Sequence, residues 1–462
     1  MASALPGKDI PDDSRPVMPP RDLFMLSFLW FPINMFWTAM LQLLLPMRVQ
    51  DVVPVDEKGT YLGYIGIAGA IATTVVQLLV APASDASANP QGRRHPFIIW
   101  GVAFNVLASV GFALAGNFWM LAVCFFGVQL FLNVANGPYQ ALLPDNVRPS
   151  QHGIASSYMG GMLLIGQLLG ALILFLLMVV QGKMGVLVIL SVINALLIFG
   201  TVLTVRNVPD RPAPPEEQIP LSQAMAQLTD LKVKENPSFF QLLYSRFFIN
   251  LAYNTAVYLL AYYLQDVFFL PKALAEGKTG QAAIEAAKAG AEGFVPVLLV
   301  AVTLAGLVGT LAAARGLKRY TMKQLVYLSC ALIAVAAGIF AVAPNLTVVV
   351  IVACLFGAAW GTFQAVDWAL AVNLLPEGGA AKYMAVWHVC MTVPQILAPA
   401  FGIVADYLNK NYADQFGFGV GWRGAFLATV LYIAIGAFLL RWVREKPVAR
   451  DTTEERPVVL PG

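Results

Sequence analysis

Charge is scarce in this sequence. Asp, Glu, Lys and Arg together supply 12% of its 462 residues, about half the share found in a soluble globular domain. So few charges cannot wet the surface of a soluble globule of this length. Hydrophobic residues make up 58% instead, and mean hydropathy is +0.70. Cysteine is also sparse: Cys124, Cys330, Cys354 and Cys390 all lie in apolar runs and none forms a CxxC pair, so neither a disulfide nor a metal site is expected. No HExxH, no GxSxG and no phosphate-binding glycine loop is present. That argues against an enzyme, a primary pump and any bound cofactor. The first 22 residues are polar and Pro-rich, without the basic and apolar regions of a cleaved signal peptide, so the first helix is expected to stay. A net charge of +3 gives no reason to expect a nucleic-acid partner.

What is present is one long apolar run after another. A run of roughly 18 residues or more spans a bilayer, and in lipid it must pair its own backbone groups as a helix. Hydropathy with Gly, Pro and charge breaks predicts twelve spans, near 23–47, 60–82, 96–116, 118–143, 153–180, 184–205, 239–269, 293–314, 322–343, 345–375, 381–408 and 419–442. The reading is an all-α, multi-pass integral membrane protein whose partner is the lipid bilayer, placed in the plasma membrane and expected to be a monomer. An even number of spans puts both termini on one side. Of the 29 Lys and Arg residues, 21 fall on that side and 8 on the other, so both termini are expected in the cytoplasm. The domain reading is a tail (1–22), a six-helix bundle (23–205), a polar linker (206–238), a second bundle (239–442) and a second tail (443–462). Residues 270–292, rich in Ala and Glu, read as an outer helix or cap.

The two halves repeat. Ile33–Val52, "INMFWTAMLQLLLPMRVQDV", matches Ile249–Val267, "INLAYNTAVYLLAYYLQDV": both open on Ile-Asn and close on Gln-Asp-Val. A second pair sets Tyr139 beside Asp367 and Asp145 beside Asn373. Two repeats in the same order make duplication a better explanation than chance. Six-helix repeats with a site between them are a transporter architecture.

The connector between spans two and three, Gly92-Arg93-Arg94-His95-Pro96-Phe97-Ile98 with Asp85 upstream, resembles the Gly-Arg-Arg-Arg-Pro-Phe-Ile element of the sucrose-transporter branch of the major facilitator superfamily. "ALLPDNVRPSQHGIASS" resembles that branch's loop between helices four and five. His95 replaces the third Arg and His152 stands where an Arg is common, which puts weaker charges in both loops. The chain is also similar, more distantly, to the glycoside–cation symporters typified by melibiose permease. Their acidic pair in helix two is absent here, which argues against sodium and for the proton. The resemblance implies the major facilitator fold, alternating access and a gating role for Asp85, Arg93, Arg94 and Asp145: carboxylates facing guanidinium groups form charge-assisted bonds that can hold a closed state. Read without the resemblance, Arg93 and Arg94 only fix topology.

In that superfamily helices one, four, seven and ten line the cavity, and all four carry a polar stripe here. The candidates are Asn34, Trp37, Thr38 and Gln42; Gln129, Asn133, Asn136 and Gln140; Asn250, Tyr253, Asn254 and Tyr258; and Trp360, Gln364 and Asp367. Polar side chains are costly against lipid and should face inward, whether toward a ligand or a neighbouring helix. Amides and hydroxyls suit a polyhydroxylated ligand, and aromatic faces suit the C–H face of a sugar ring. No cluster of Arg or Lys is expected at mid-membrane, which disfavours a strongly anionic substrate. Asp367 is the one acidic residue expected well inside a span. Burial favours the neutral form of a carboxylate, which makes Asp367 the candidate proton carrier, with His388 at a similar depth on the next helix. The leading reading is secondary transport of a neutral sugar or glycoside with protons. The alternatives are a facilitator or exporter of amphipathic compounds, and a non-transporting sensor or scaffold.

Overall fold

A computed structural model describes residues 16–148, 151–213, 215, 223, 232–317, 319–374 and 380–444. Every element of secondary structure among the described residues is helical. The spans are α1 (Pro20–Gln50), α2 (Lys58–Asp85), α3 (His95–Leu114), α4 (Phe118–Asn146), α5 (His152–Ile173), α6 (Gly182–Asn207), α7 (Pro237–Tyr258, continued by Leu260–Ala275), α8 (Gly280–Gly316), α9 (Met322–Val342), α10 (Leu346–Leu374), α11 (Ala380–Leu397 and Phe401–Phe416) and α12 (Val420–Leu440). Among the described residues, eleven single helices are long and apolar enough to cross a membrane, and α7 makes a twelfth across a 45° bend at Leu259. Local chemistry sets several ends. Asn117 Oδ1 accepts from Met120 N at 2.9 Å to start α4. Thr321 and Gln324 form a reciprocal capping box on α9. Apolar side chains such as Ile71, Leu107 and Val123 stay exposed on the outside, where hydrocarbon replaces water.

Three departures from the predicted spans have physical causes. Residues 280–292 are not a separate cap but the first part of the 37-residue α8. Helix α11 runs on to Phe416, through a short 3₁₀ turn at Ala398–Ala400 that contains Pro399. Helix α7 bends, and both α7 and α1 carry a π-turn, at Gln265–Phe269 and Met40–Leu44. Each π-turn ends directly before a Leu-Pro pair, Leu270-Pro271 and Leu45-Pro46. Proline lacks an N–H and crowds the preceding turn, and a locally wider helix absorbs both.

The densest helix–helix contacts fall within α1–α6 and within α7–α12, and these two groups are called bundles here. They meet along α2 and α11 at the end opposite the chain termini, called here the far end; the other is the terminal end. Gly59, Gly63 and Gly66 of α2 lie against Gly402, Ala400, Pro399 and Ile396 of α11. A Cβ at Gly59 would sit 2.6 Å from the Gly402 carbonyl oxygen, so only glycine lets these helices approach so closely.

Candidate functional site

The residues of the polar stripes are buried or half-buried, and the hydrogen bonds described for them stay within one half of the chain. On α1, Thr38 is buried and Asn34, Trp37 and Gln42 are half-buried; the Asn34 amide donates to Trp30 O at 2.8 Å. On α4, Gln129 and Asn133 are buried. Thr73 Oγ1 donates to Gln129 Oε1 at 3.1 Å, and Asn133 Nδ2 to Gln129 O at 2.7 Å. Asn136 and Gln140 are half-buried and bond each other at 3.2 Å. On α7, Asn250, Asn254 and Tyr258 are buried, and both amides donate back to the carbonyl four residues earlier. Back-bonding uses one amide N–H of two and leaves other capacity on each amide. Tyr253 of α7 and Trp360 of α10 are half-buried and stack face to face, with centroids 3.7 Å apart and planes 9° from parallel.

Asp367 is not alone. Its carboxylate accepts from Arg246 Nη1 of α7, and each residue is 2% exposed. The Arg246 guanidinium carbon lies 3.3 Å from the ring centroid of Trp387 on α11, a cation–π stack, while its Nε has no hydrogen-bond partner among the described residues. Among the described residues a single arginine, not a cluster, therefore lies inside the spans beside Asp367. The charge tally placed Arg246 at the terminal-end boundary, but α7 starts at Pro237. Nine residues of rise put it about 13 Å along the helix. Asp367, seven residues before Leu374, lies about 10 Å from its own helix end, so the pair is level. One turn toward the far end from Asp367 come Gln364 and then Trp360. The side chain of His388 lies outside the described residues, as does that of His152.

At the terminal end the four residues read as gating come together. Arg94, 4% exposed, places Nη2 2.5 Å from Asp85, Nε 3.0 Å from Asp145 and Nη1 3.0 Å from Ser84 Oγ. Arg93 Nη2 lies 2.9 Å from Asp145. The ends of α2 and α4 are thus bound to the start of α3. Sequence reading missed the residue that shapes this loop, Asp210, just after α6. Its Oδ2 accepts from Arg94 N and His95 N at 2.7 Å each, capping α3 where the helix dipole favours an anion. Gly92 has φ +108°, and a Cβ there would overlap the Asp210 carboxylate. Gly92→Ala is therefore expected to cost about 1–2 kcal/mol, seen as a lowered midpoint of thermal unfolding in detergent. Gly137→Ala, with no described neighbour within 4 Å of its Cβ, should change that midpoint far less. Equal midpoints for the two variants would contradict the tight approach of Asp210.

The far end carries the contacts that join the bundles. Lys58 Nζ lies 2.8 Å from Asp266 Oδ1, and Trp422 Nε1 donates to Asp266 Oδ2 at 2.7 Å. Lys288 pairs with Asp51, which is also held by Arg48. Asp406 Oδ2 accepts from Thr60 N at 2.6 Å, and Tyr262 donates to Pro46 O at 2.8 Å.

A sequence profile described as Major Facilitator Superfamily matches residues 23–399. The chain belongs to the Major Facilitator Superfamily. No match to this superfamily member was found among curated protein sequences. Solved structures share its fold. A bacterial homologue of the human lysosomal transporter Spinster, in an inward-facing and unoccupied conformation, aligns at TM-score 0.65 with 13% identity, over 91% of this chain and 95% of that one. A mutant of the nucleoside transporter NupG aligns at 0.63 with 13% identity, over 91% and 98%. A D-xylose–proton symporter aligns at 0.64 with 14% identity, over 92% and 98%. Superfamily membership makes the chain a multi-pass membrane transporter of a small molecule rather than an enzyme.

Proposed function

We propose that this transporter is a symporter that couples uptake of a neutral sugar or glycoside to protons, with the terminal end facing the cytoplasm of a plasma-membrane carrier that works as a monomer. The observation that carries the reading is the buried Arg246–Asp367 pair, one and two turns from Gln364 and the Tyr253–Trp360 platform. With Asp367 ionised the pair is neutral overall and its charges satisfy each other. A proton on Asp367 removes that partnership and frees guanidinium N–H groups to donate to a hydroxylated ligand. Proton and substrate then favour each other's binding, which is the linkage a symporter needs. The half-buried amides of α1, α4 and α10 supply further donors and acceptors, and the aromatic faces supply the apolar side of a sugar site. The motif at Gly92–Ile98 supports placement in the sucrose and glycoside branch. A D-xylose–proton symporter among the structures of like fold shows that this fold can carry out proton-coupled sugar transport. The absence of an acidic pair on α2 favours the proton over sodium.

The purified protein in proteoliposomes, given an inward proton gradient and a panel of labelled mono- and disaccharides, should accumulate at least one of them. Accumulation of none, with gradient-driven movement of an amphipathic dye instead, would turn the reading to the exporter alternative. Orientation is tested separately. A single cysteine at Ala88 should react with an impermeant thiol reagent only from the cytoplasm, and one at Glu276 only from outside. The reverse pattern would overturn the assignment.

A further inference from the structure

The closing Gln-Asp-Val of each repeat finds no role in the sugar site. Both copies lie at the far end, Asp51 at the end of α1 and Asp266 in the second segment of α7. Each aspartate is held twice, in the same way. One oxygen is fixed by its own bundle: Arg48 binds Asp51 Oδ2, and Trp422 Nε1 binds Asp266 Oδ2. The other oxygen takes a lysine from the opposite bundle: Asp51 Oδ1 takes Lys288 of α8, and Asp266 Oδ1 takes Lys58 of α2. The lysines stand on the second span of each half, so the arrangement follows the pseudo-twofold symmetry of the repeat.

We propose that Asp51 and Asp266 are gating residues of the transport cycle, forming with Lys288 and Lys58 a symmetric pair of ion-pair latches that closes the far end and must break for it to open. The proposal rests on alternating access, not on the identity of substrate or ion, so failure of the sugar–proton reading leaves it standing. The two latches are unequal. Lys58 is 1% exposed, its Nζ lies 5.0 Å from the ring centroid of Tyr262 and 5.7 Å from that of Trp422, and the Gly59–Gly402 contact is next to it in sequence. Lys288 is 23% exposed and shares its charge with Glu292 at 3.8 Å. A buried ion loses most of its hydration and depends on its partner, whereas a wetter pair contributes little. The Lys58–Asp266 latch therefore dominates. Opening hydrates both of its charges, which offsets the lost pair and keeps the latch reversible.

The test is a distance distribution between spin labels at Lys183 on α6 and Gln415 on α11, both exposed at the far end, in a chain with alanine at its four native cysteines. The unsubstituted chain should give mainly the short, closed distance. Asp266→Asn leaves Lys58 buried without a counter-charge and should raise the ratio of open to closed at least about ten-fold. Asp51→Asn should raise it only a few-fold. Lys58→Met combined with Asp266→Asn strands no charge and should lie closer to the unsubstituted chain than Asp266→Asn alone. Size-exclusion profiles establish folding. If Asp266→Asn does not fold, Lys58→Met and the double variant carry the same comparison. An unchanged distribution in the Asp266 and Lys58 variants would overturn the proposal. So would a double variant whose shift equals the sum of its singles, because two residues that form one latch cannot act independently.

Discussion

Asp367→Asn is expected to abolish gradient-driven accumulation while leaving exchange of labelled for unlabelled substrate across equal pH. Asparagine keeps the size of the side chain and can still accept from Arg246, but it neither takes up nor releases a proton. A symporter needs that release to return empty; exchange of one bound substrate for another does not. The two activities therefore separate only if Asp367 carries the proton. If it bound sugar hydroxyls alone, both would fall together, since an amide oxygen is a weaker acceptor than a carboxylate. Asp367→Asn strands the buried Arg246 charge and should lower thermal stability on any reading, so if Asp367 only tied α7 to α10, the variant would still accumulate substrate normally per folded molecule. Full accumulation by the variant would remove Asp367 from the coupling role.

The second large effect is expected at Arg246. Both members of its ion pair are 2% exposed, and removing one charge from a buried pair costs about 3–5 kcal/mol because the other is left uncompensated. Arg246→Met should therefore lower expression and the thermal midpoint sharply. The same substitution placed in the Asp367→Asn chain strands no charge, so it should recover most of the lost stability and none of the accumulation. Thermal unfolding of the two single variants and the double variant, each normalised to folded protein, measures this. Additive losses across the three would show that the residues are not energetically coupled.

The fold was legible because its signal is coarse. A span is about 20 apolar residues wherever it sits, and the helix-breaking residues between spans are Gly, Pro and charge. The polar stripes were legible too, since the period of 3.6 assigns residues to a face of their own helix. The sequence was silent on which helix stands opposite. Asp367 read as a lone carboxylate because its partner is 121 residues away on α7, near a helix start that hydropathy could place only to a few residues. Asp210 was hidden for the same reason: nothing in the composition of a Pro-rich connector says that it folds back onto α3. The Gln-Asp-Val repeat was visible as a pattern, but its meaning depends on Lys58 and Lys288, which belong to opposite bundles. The loop at Gly92–His95 was the exception. There a residue type dictated by sterics, a glycine at φ +108°, lies beside charges whose partners sit at the ends of adjacent helices.

The most direct test of proton-coupled symport is the pH of a lightly buffered suspension of proteoliposomes holding the unsubstituted protein, with no imposed gradient, on addition of a sugar that the uptake panel identifies. Inward movement of sugar should draw protons with it, so the external medium should turn alkaline at a rate that saturates with sugar concentration, and a protonophore should abolish the change. Sugar uptake with no change of pH, or with acidification of the medium, would contradict the account.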